Sequence, residues 1–252
     1  MLNNYFPFFA FQREKYQLKK KNQNPVEWAK GVSTPMTMPT YIAYLKHHAK
    51  DAKSFIIVRH PFERLVSAFR DKIERLHSKT LVQDYYYKLV GKSITQKYRA
   101  GALRVFGEDF FSKENNYGAL LPVVGKLKRV PELPTFWEFV QDVLDTNPEA
   151  MNEHWAPIHV FCSICMIKYE VIIKFENLEH EETWLKRYLK VEQMLPDRYV
   201  NQNPYKSLTS SDITQIYFSV LTDQMVKDLY RVYKKDFEMF DYTFQLRDLS
   251  FP

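Results

Sequence analysis

The sequence is poor in glycine and cysteine, with six glycines and two cysteines in 252 residues. The scarcity of glycine argues against a glycine-rich nucleotide-binding loop. The two cysteines, Cys162 and Cys165, cannot complete a four-ligand zinc site without a second pair. A chain of this length needs neither a metal nor disulfides to hold a hydrophobic core. We therefore expect no metal site.

Long hydrophobic runs are also missing. No apolar stretch approaches the ~20 residues that a helix needs to cross a bilayer. The aromatic-rich run Tyr5–Phe11 is short, and it lacks the basic region and the small-residue cleavage site of a signal peptide. The chain as written therefore shows no secretory signal and no membrane anchor.

The overall composition is that of a folded, basic protein. Hydrophobic residues make up 45% and aromatic residues 16% of the chain, which argues against disorder. Lys and Arg outnumber Asp and Glu by 36 to 30, for a net charge of +6. This surplus suits an anionic ligand, which could be nucleic acid, acidic polysaccharide, a membrane surface or a nucleotide phosphate. Nucleic acid rests on the charge alone and is the weakest of these.

The chain divides into an arm and a domain. Residues 1–40 are punctuated by prolines and predict an irregular arm, and residues 41–252 predict one α/β domain. The patterns predict helices at 40–50, 61–76, 182–188 and 210–233, and strands at 54–58 and 169–175. The first strand is a continuous apolar run, which favours burial on both faces. Ser210 or Ser211 is the expected cap of the last helix, and Thr135 with Glu138 forms a capping-box pattern.

The strongest chemical signal follows the first strand. A helix from Pro61 would place Phe62, Leu65, Phe69, Ile73 and Leu76 on an apolar face, and Glu63, Ser67, Arg70 and Glu74 on a polar one. The N-terminus of such a helix favours an anion. Arg59 can add a charge-assisted clamp, and Ser67 a hydroxyl donor. A surface arginine followed by an ordinary helical serine fits the same pattern equally well.

The segment Arg59–Arg70, RHPFERLVSAFR, resembles the 3′-phosphate-binding motif of sulfotransferases that use 3′-phosphoadenosine 5′-phosphosulfate. The sequence of this segment is similar to that of the carbohydrate sulfotransferase family, which includes the HNK-1 and the chondroitin and dermatan 4-O-sulfotransferases. The block Asn152–Pro157 with the following cysteines, and residues 217–242, extend the resemblance over roughly residues 45–245. The resemblance implies that Arg59 and Ser67 hold the 3′-phosphate of the donor.

The resemblance also implies a fold and a setting. The fold would be a three-layer α/β/α domain with a mainly parallel sheet, similar to P-loop kinases. The reaction would be sulfuryl transfer to a glycan hydroxyl, of chondroitin or dermatan type, without a metal. By the same resemblance, we expect work on the lumenal side of the Golgi membrane, held there by a membrane anchor of which these residues show no sign. The sequence does not indicate an oligomeric state.

Sulfuryl transfer to a hydroxyl needs a group that takes the hydroxyl proton. Glu153 and His154 are the catalytic candidates for this base or for orienting the acceptor. A histidine beside a tryptophan is equally typical of a satisfied core residue. Cys162 and Cys165 would form a short-loop disulfide in a lumenal enzyme, or stay two buried thiols.

One family feature is missing from the pattern. The family carries a Pro-Lys loop for the 5′-phosphosulfate upstream of the 3′-phosphate motif, and the 58 residues before Arg59 show no such loop. We therefore expect an N-terminally incomplete chain, a splice form or a degenerate member. The alternative function is a form that binds nucleotide or glycan without turnover, because an interaction lost mainly in the transition state lowers turnover more than affinity.

Overall fold

The structure is a computed structural model that describes residues 53–74, 86, 90–107, 133–162, 164, 168–191 and 209–244. The predicted arm at 1–40, the predicted helix at 40–50, and Cys165 lie outside these residues. The chain divides into two compact units, one from Met1–Val58 and Cys162–Arg198, the other from Arg59–Phe161 and Tyr199–Pro252.

Within the described residues, the elements follow one another as a short strand, four helices, a second short strand and three further helices. They are β1 (Phe55–Val58), α1 (Pro61–Phe69), α2 (Lys92–Phe106), α3 (Phe136–Asp145), α4 (Ile158–Phe161), β2 (Val171–Lys174), α5 (Leu178–Leu189), α6 (Ser210–Phe218) and α7 (Asp223–Met239). A π-helical turn, Arg70–Glu74, continues α1, and 3₁₀ turns lie at Pro148–Ala150 and Phe175–Asn177. No helix in the described ranges has both the length and the apolar character needed to cross a membrane.

The first unit is built on the parallel pair of β1 and β2, with Phe55 opposite Val171 and Val58 opposite Lys174. Both strands lie where the sequence predicts them, and their pairing is parallel as expected. Ile57, however, is 41% exposed, so the prediction that β1 is covered on both faces is wrong. A run without alternation shows that both faces are apolar, but coverage depends on which elements pack across them.

The second unit has its core around α1. Phe62, Leu65, Phe69 and Ile73 are buried, as their spacing predicts, and each contributes about 1.5–3 kcal/mol to stability by leaving water. Aromatic rings from α3 and α6 complete the core: the Phe69 and Phe136 ring centroids are 5.3 Å apart, and those of Phe62 and Phe218 are 4.8 Å apart. The predicted face of the helix is confirmed as far as Ile73; Leu76 lies outside the described residues.

The capping box at the start of α3 is confirmed. Thr135 Oγ1 accepts a hydrogen bond from the Glu138 N–H at 3.1 Å, and Glu138 Oε2 accepts one from the Thr135 N–H at 2.6 Å. The carboxylate is fully buried, and Arg99 Nε of α2 donates to its other oxygen at 2.6 Å. One glutamate therefore both starts α3 and holds α2 against it.

The helix predicted at 210–233 is two helices, α6 and α7, separated at residues 219–222. Thr209, rather than Ser210 or Ser211, caps α6 by accepting a hydrogen bond from the Asp212 N–H at 3.1 Å. Thr222 caps α7 in the same way, accepting from the Met225 N–H at 3.3 Å. The apolar spacing runs through both helices, so periodicity could not show the break. The break is produced by the hydroxyl of Thr222, which accepts a hydrogen bond from a backbone N–H in the first turn of α7.

Candidate functional site

The N-terminus of α1 follows β1 after two residues, as the sequence predicts. His60 is the N-cap residue, but its side chain does not cap the helix. Its ring instead packs edge-on against Phe62, Phe237 and Tyr242, with centroids 5.2–5.9 Å away. Pro61 starts the helix without an N–H to satisfy. The first turn of α1 therefore keeps the positive dipole end that favours an anion.

The side chains of Glu63 and Ser210 are among the groups that hold Arg59 at this helix end. Its Nε donates to Glu63 Oε2 at 3.4 Å, and its Nη2 donates to the Ser210 Oγ of α6 at 2.8 Å. Ser67 is half-buried and lies one helical turn beyond Glu63, on the same face of α1. Arg59 thus lies two residues before α1, bonded to Glu63, and Ser67 lies on the helical face that carries Glu63. Glu63 would repel a phosphate, so its contribution is to orient the guanidinium.

Glu153 and His154 lie in the turn between α3 and α4. His154 Nε2 is 2.7 Å from the Tyr86 hydroxyl and 3.8 Å from Glu153 Oε1. The His154 N–H donates to Asn152 Oδ1 at 3.1 Å, which helps to shape the turn. Both side chains are about one-third exposed, at 36% for Glu153 and 35% for His154. The histidine is therefore open to a ligand as well as bonded to the protein.

The environment of His154 favours its neutral form. Burial lowers the pKa of His154 below its ordinary value of 6.5, and the positive charges of Lys72 and Arg64 lower it further. The negative charges of Glu153 and Asp71 act in the opposite direction. A histidine with a lowered pKa is unprotonated at neutral pH and can accept a proton there.

Arg64 links the two sets of candidates, although the sequence assigned it no role. Its Nη2 donates to the carbonyl of Glu153 at 2.8 Å, and its Nη1 donates to that of Ala156 at 2.6 Å. Helix α1 is thereby fixed to the turn that carries Glu153 and His154. At a rise of about 1.5 Å per residue, the π-helical turn lies about 15 Å from the N-terminus of α1.

Tyr86 and Lys72 are two further described residues near His154, and sequence reasoning missed both. Lys72 Nζ lies 5.3 Å from the Tyr86 ring centroid and 2.9 Å from Asp71 Oδ2. Tyr86 is the middle of three consecutive tyrosines, which carry no signal that singles it out. The arrangement combines a neutral base, a phenol and a cation, which is suited to taking a proton near an anionic group.

Helix α7 holds the segment that follows the turn. Asp236, which is 1% exposed, accepts hydrogen bonds from the backbone N–H groups of Ile158 and His159 at 2.6 and 2.9 Å. Its Oδ1 also lies 2.7 Å from His159 Nδ1. One turn earlier, the Tyr233 hydroxyl donates to the carbonyl of Trp155 at 2.7 Å. The position of Glu153 and His154 thus depends on α7 as well as on α1.

A model of the Sulfotransferase family matches residues 2–243. The chain belongs to the sulfotransferase family. The predicted resemblance is thereby confirmed, together with the α/β fold class. The match begins at residue 2, whereas the predicted resemblance begins at about residue 45. No solved structure matches the chain.

This member of the sulfotransferase family is similar to several carbohydrate sulfotransferases. It is 32% identical over 205 residues to carbohydrate sulfotransferase 8 of Mus musculus, covering 81% of this chain and 43% of the relative. It is 28% identical over 200 residues to carbohydrate sulfotransferase 14 of Danio rerio, covering 79% and 46%. With carbohydrate sulfotransferase 11 of Rattus norvegicus the identity is 28% over 207 residues, covering 80% and 50%. The chain thus matches about half the length of these relatives.

Proposed function

We propose that this chain transfers a sulfuryl group from 3′-phosphoadenosine 5′-phosphosulfate to a glycan hydroxyl, with a chondroitin- or dermatan-type glycosaminoglycan as acceptor. The observation that supports the proposal is that α1 connects the two groups of candidate residues. Arg59 lies just before the N-terminus of α1, where it bonds Ser210. Arg64, within α1, donates a hydrogen bond to the backbone of the segment that carries Glu153 and His154. Membership of the sulfotransferase family and similarity to carbohydrate sulfotransferases support the reaction class and the glycan acceptor.

On the donor side, Arg59, Ser67 and the N-terminus of α1 would hold the 3′-phosphate. Arg59 is already fixed by Glu63 and Ser210, so little side-chain entropy is lost when an anion binds. A guanidinium can bind a phosphate through two parallel charge-assisted hydrogen bonds. The residues present therefore fit a phosphate group at this end of the helix.

On the acceptor side, the glycan hydroxyl oxygen attacks the sulfur as its proton passes to the base. The new bond is between that oxygen and sulfur, and the bond between sulfur and the 5′-phosphate oxygen breaks. The nucleotide leaves as adenosine 3′,5′-bisphosphate, which carries the electron pair of the broken bond. His154, neutral and one-third exposed, is the group in this turn best suited to receive the proton.

A second candidate function is binding of nucleotide or glycan without turnover. The observation in its favour is that no Pro-Lys donor loop is recognisable among the 58 residues before Arg59. The two functions share the 3′-phosphate site and differ in turnover. Binding of adenosine 3′,5′-bisphosphate with no sulfate transfer to chondroitin would select this second function.

The setting of the enzyme is part of the proposal. We propose that residues 41–252 form its sulfotransferase domain, following an arm at 1–40, and that it works on the lumenal side of the Golgi membrane. The similarity to carbohydrate sulfotransferases supports a Golgi-type enzyme.

The donor site is tested by replacing Arg59. Arg59→Ala should weaken the binding of adenosine 3′,5′-bisphosphate about 10- to 100-fold, because hydrogen bonds to a charged group contribute about 1.5–3 kcal/mol. Ser67→Ala, which removes one neutral donor, should weaken binding by about tenfold or less. Isothermal titration calorimetry on the 252-residue chain gives both affinities.

The matched control is Arg104→Ala, which removes an exposed arginine from α2. It should bind the bisphosphate as the wild type does. Equal affinities for wild type and Arg59→Ala, in chains that are folded by circular dichroism, would remove Arg59 from the site.

A further inference from the structure

The proton position on His154 can be inferred from its two neighbours at Nε2. The Tyr86 hydroxyl is 2.7 Å from this nitrogen, and Glu153 Oε1 is 3.8 Å from it. A carboxylate only accepts hydrogen bonds, whereas a phenol can accept or donate. A lone pair on Nε2 would face the negative charge of Glu153, which is repulsive. A proton on Nε2 is attracted by that charge and can be donated to the Tyr86 oxygen.

The other ring nitrogen is then the basic one. A neutral imidazole carries one proton, so a proton on Nε2 leaves the lone pair on Nδ1. Among the residues that the structure describes, Nδ1 has no hydrogen-bond partner. The ring is also one-third exposed. Nδ1 is therefore the ring nitrogen to which a bound ligand can transfer a proton.

We propose that Tyr86 is a positioning residue that acts with Glu153 to keep the proton of neutral His154 on Nε2, leaving Nδ1 to take the proton of the acceptor hydroxyl. This inference rests on the proposed sulfuryl transfer. It separates the roles of the two acceptor-side candidates: His154 is the base, and Glu153 orients it. During transfer the hydroxyl proton moves to Nδ1, and the resulting imidazolium later releases a proton to water.

Lys72 affects both His154 and Tyr86. The charged groups around the histidine are Lys72 and Asp71 of the π-helical turn, Arg64 of α1, and Glu153 of its own turn. Of the two cations, Lys72 lowers the pKa of His154 more strongly. Its ammonium group also lies over the ring of Tyr86, 5.3 Å from the centroid. Lys72 thus keeps the base unprotonated while Tyr86 sets which nitrogen is free.

The test uses nitrogen NMR of the histidine rings, which distinguishes a protonated from an unprotonated ring nitrogen. The chain has seven histidines, and His154→Gln identifies the signals of His154. In the wild type at neutral pH, Nε2 should carry the proton and Nδ1 should be unprotonated. Tyr86→Phe should shift the population toward a proton on Nδ1. Lys72→Met should raise the pKa of His154.

The chain offers a matched control pair. Lys97 Nζ lies over the Tyr98 ring at 4.7 Å, and the Tyr98 hydroxyl donates to Asp145 Oδ2 at 2.9 Å. Tyr98→Phe and Lys97→Met therefore remove the same groups without touching His154. Both should leave its proton position and its pKa at the wild-type values.

A kinetic measurement accompanies the spectra. Tyr86→Phe should lower kcat for sulfate transfer to chondroitin about 10- to 100-fold, since misplacing a catalytic group by about 1 Å costs up to 10². The KM for the donor should stay unchanged. A proton found on Nδ1 in the wild type, or a Tyr86→Phe spectrum identical to the wild type, overturns the inference. Because these spectra need no donor, failure of bisphosphate binding would refute the proposed function separately.

Discussion

Replacing His154 by alanine is expected to lower kcat for sulfate transfer by 10²–10⁴-fold, the usual contribution of a general base. Binding of adenosine 3′,5′-bisphosphate should stay within about twofold of the wild type, because the donor residues at the N-terminus of α1 are unchanged. Glu153→Gln should cost less, because it removes an orienting charge and keeps the base. Sulfate transfer to chondroitin and calorimetric titration of the bisphosphate measure the two effects.

His180→Ala is the control, since it removes an exposed histidine from α5. It should transfer sulfate at the wild-type rate. If His154→Ala and Glu153→Gln both turn over normally in a wild type that is active, the Asn152–Pro157 turn is structural and the proton goes elsewhere.

The pH dependence of kcat/KM gives an independent check on the same residue. Burial and Lys72 lower the pKa of His154 below 6.5, so the base stays unprotonated as the pH falls through 6.5. Activity should decline only below that lowered pKa, on the acid side of the profile. In Lys72→Met the pKa rises, so the acid limb should move to higher pH. An acid limb that does not move would contradict the role given to Lys72.

The largest effect on stability is expected from Asp236→Ala, which should lower the free energy of unfolding by about 3–5 kcal/mol. The substitution leaves the N–H groups of Ile158 and His159 without their carboxylate, at a position that is 1% exposed. Each buried donor without an acceptor costs about 1–3 kcal/mol. The loss is large beside a total stability of about 5–15 kcal/mol. Urea unfolding followed by circular dichroism measures it.

Asp228→Ala is the control on the same helix. Asp228 is 35% exposed and bonds Gln224 and Arg231 at the surface, so its loss should cost less than about 0.5 kcal/mol. Should Asp236→Ala not fold, Asp236→Asn keeps one acceptor and should lose about 1–3 kcal/mol. Equal stability for wild type and Asp236→Asn would show that the carboxylate does not hold α4.

Sequence patterns predicted correctly those features that depend only on residues close together in the chain. The spacing of Phe62, Leu65 and Phe69 was enough to place α1 and its buried face, because a helix brings residues three and four apart onto one side. The Thr135–Glu138 box was confirmed because it needs only four consecutive residues. The break at Thr222 was missed because the apolar spacing of α6 continues into α7.

The family and the four site candidates also came from short stretches of the chain. Ser67 lies on the face of α1 that carries Glu63, Arg59 lies just before the helix, and Glu153 and His154 share one turn. The contacts of these residues could not be read in the same way. Arg59 bonds Ser210, which is 151 positions away, and no pattern within α1 indicates that partner.

The sequence by itself determined the family, the parallel strands, the helix that follows Arg59 and carries Ser67, and the adjacent positions of Glu153 and His154. Only the tertiary structure decided which residues surround that pair. Tyr86 contacts Nε2 of His154, and Lys72 lies over the Tyr86 ring. Arg64 bonds the carbonyl of Glu153, and Asp236 bonds the backbone N–H of Ile158. The physical reason is sequence separation. Hydrogen bonds and charge effects depend on distances of a few ångströms, and these partners lie 68 to 89 positions apart along the chain.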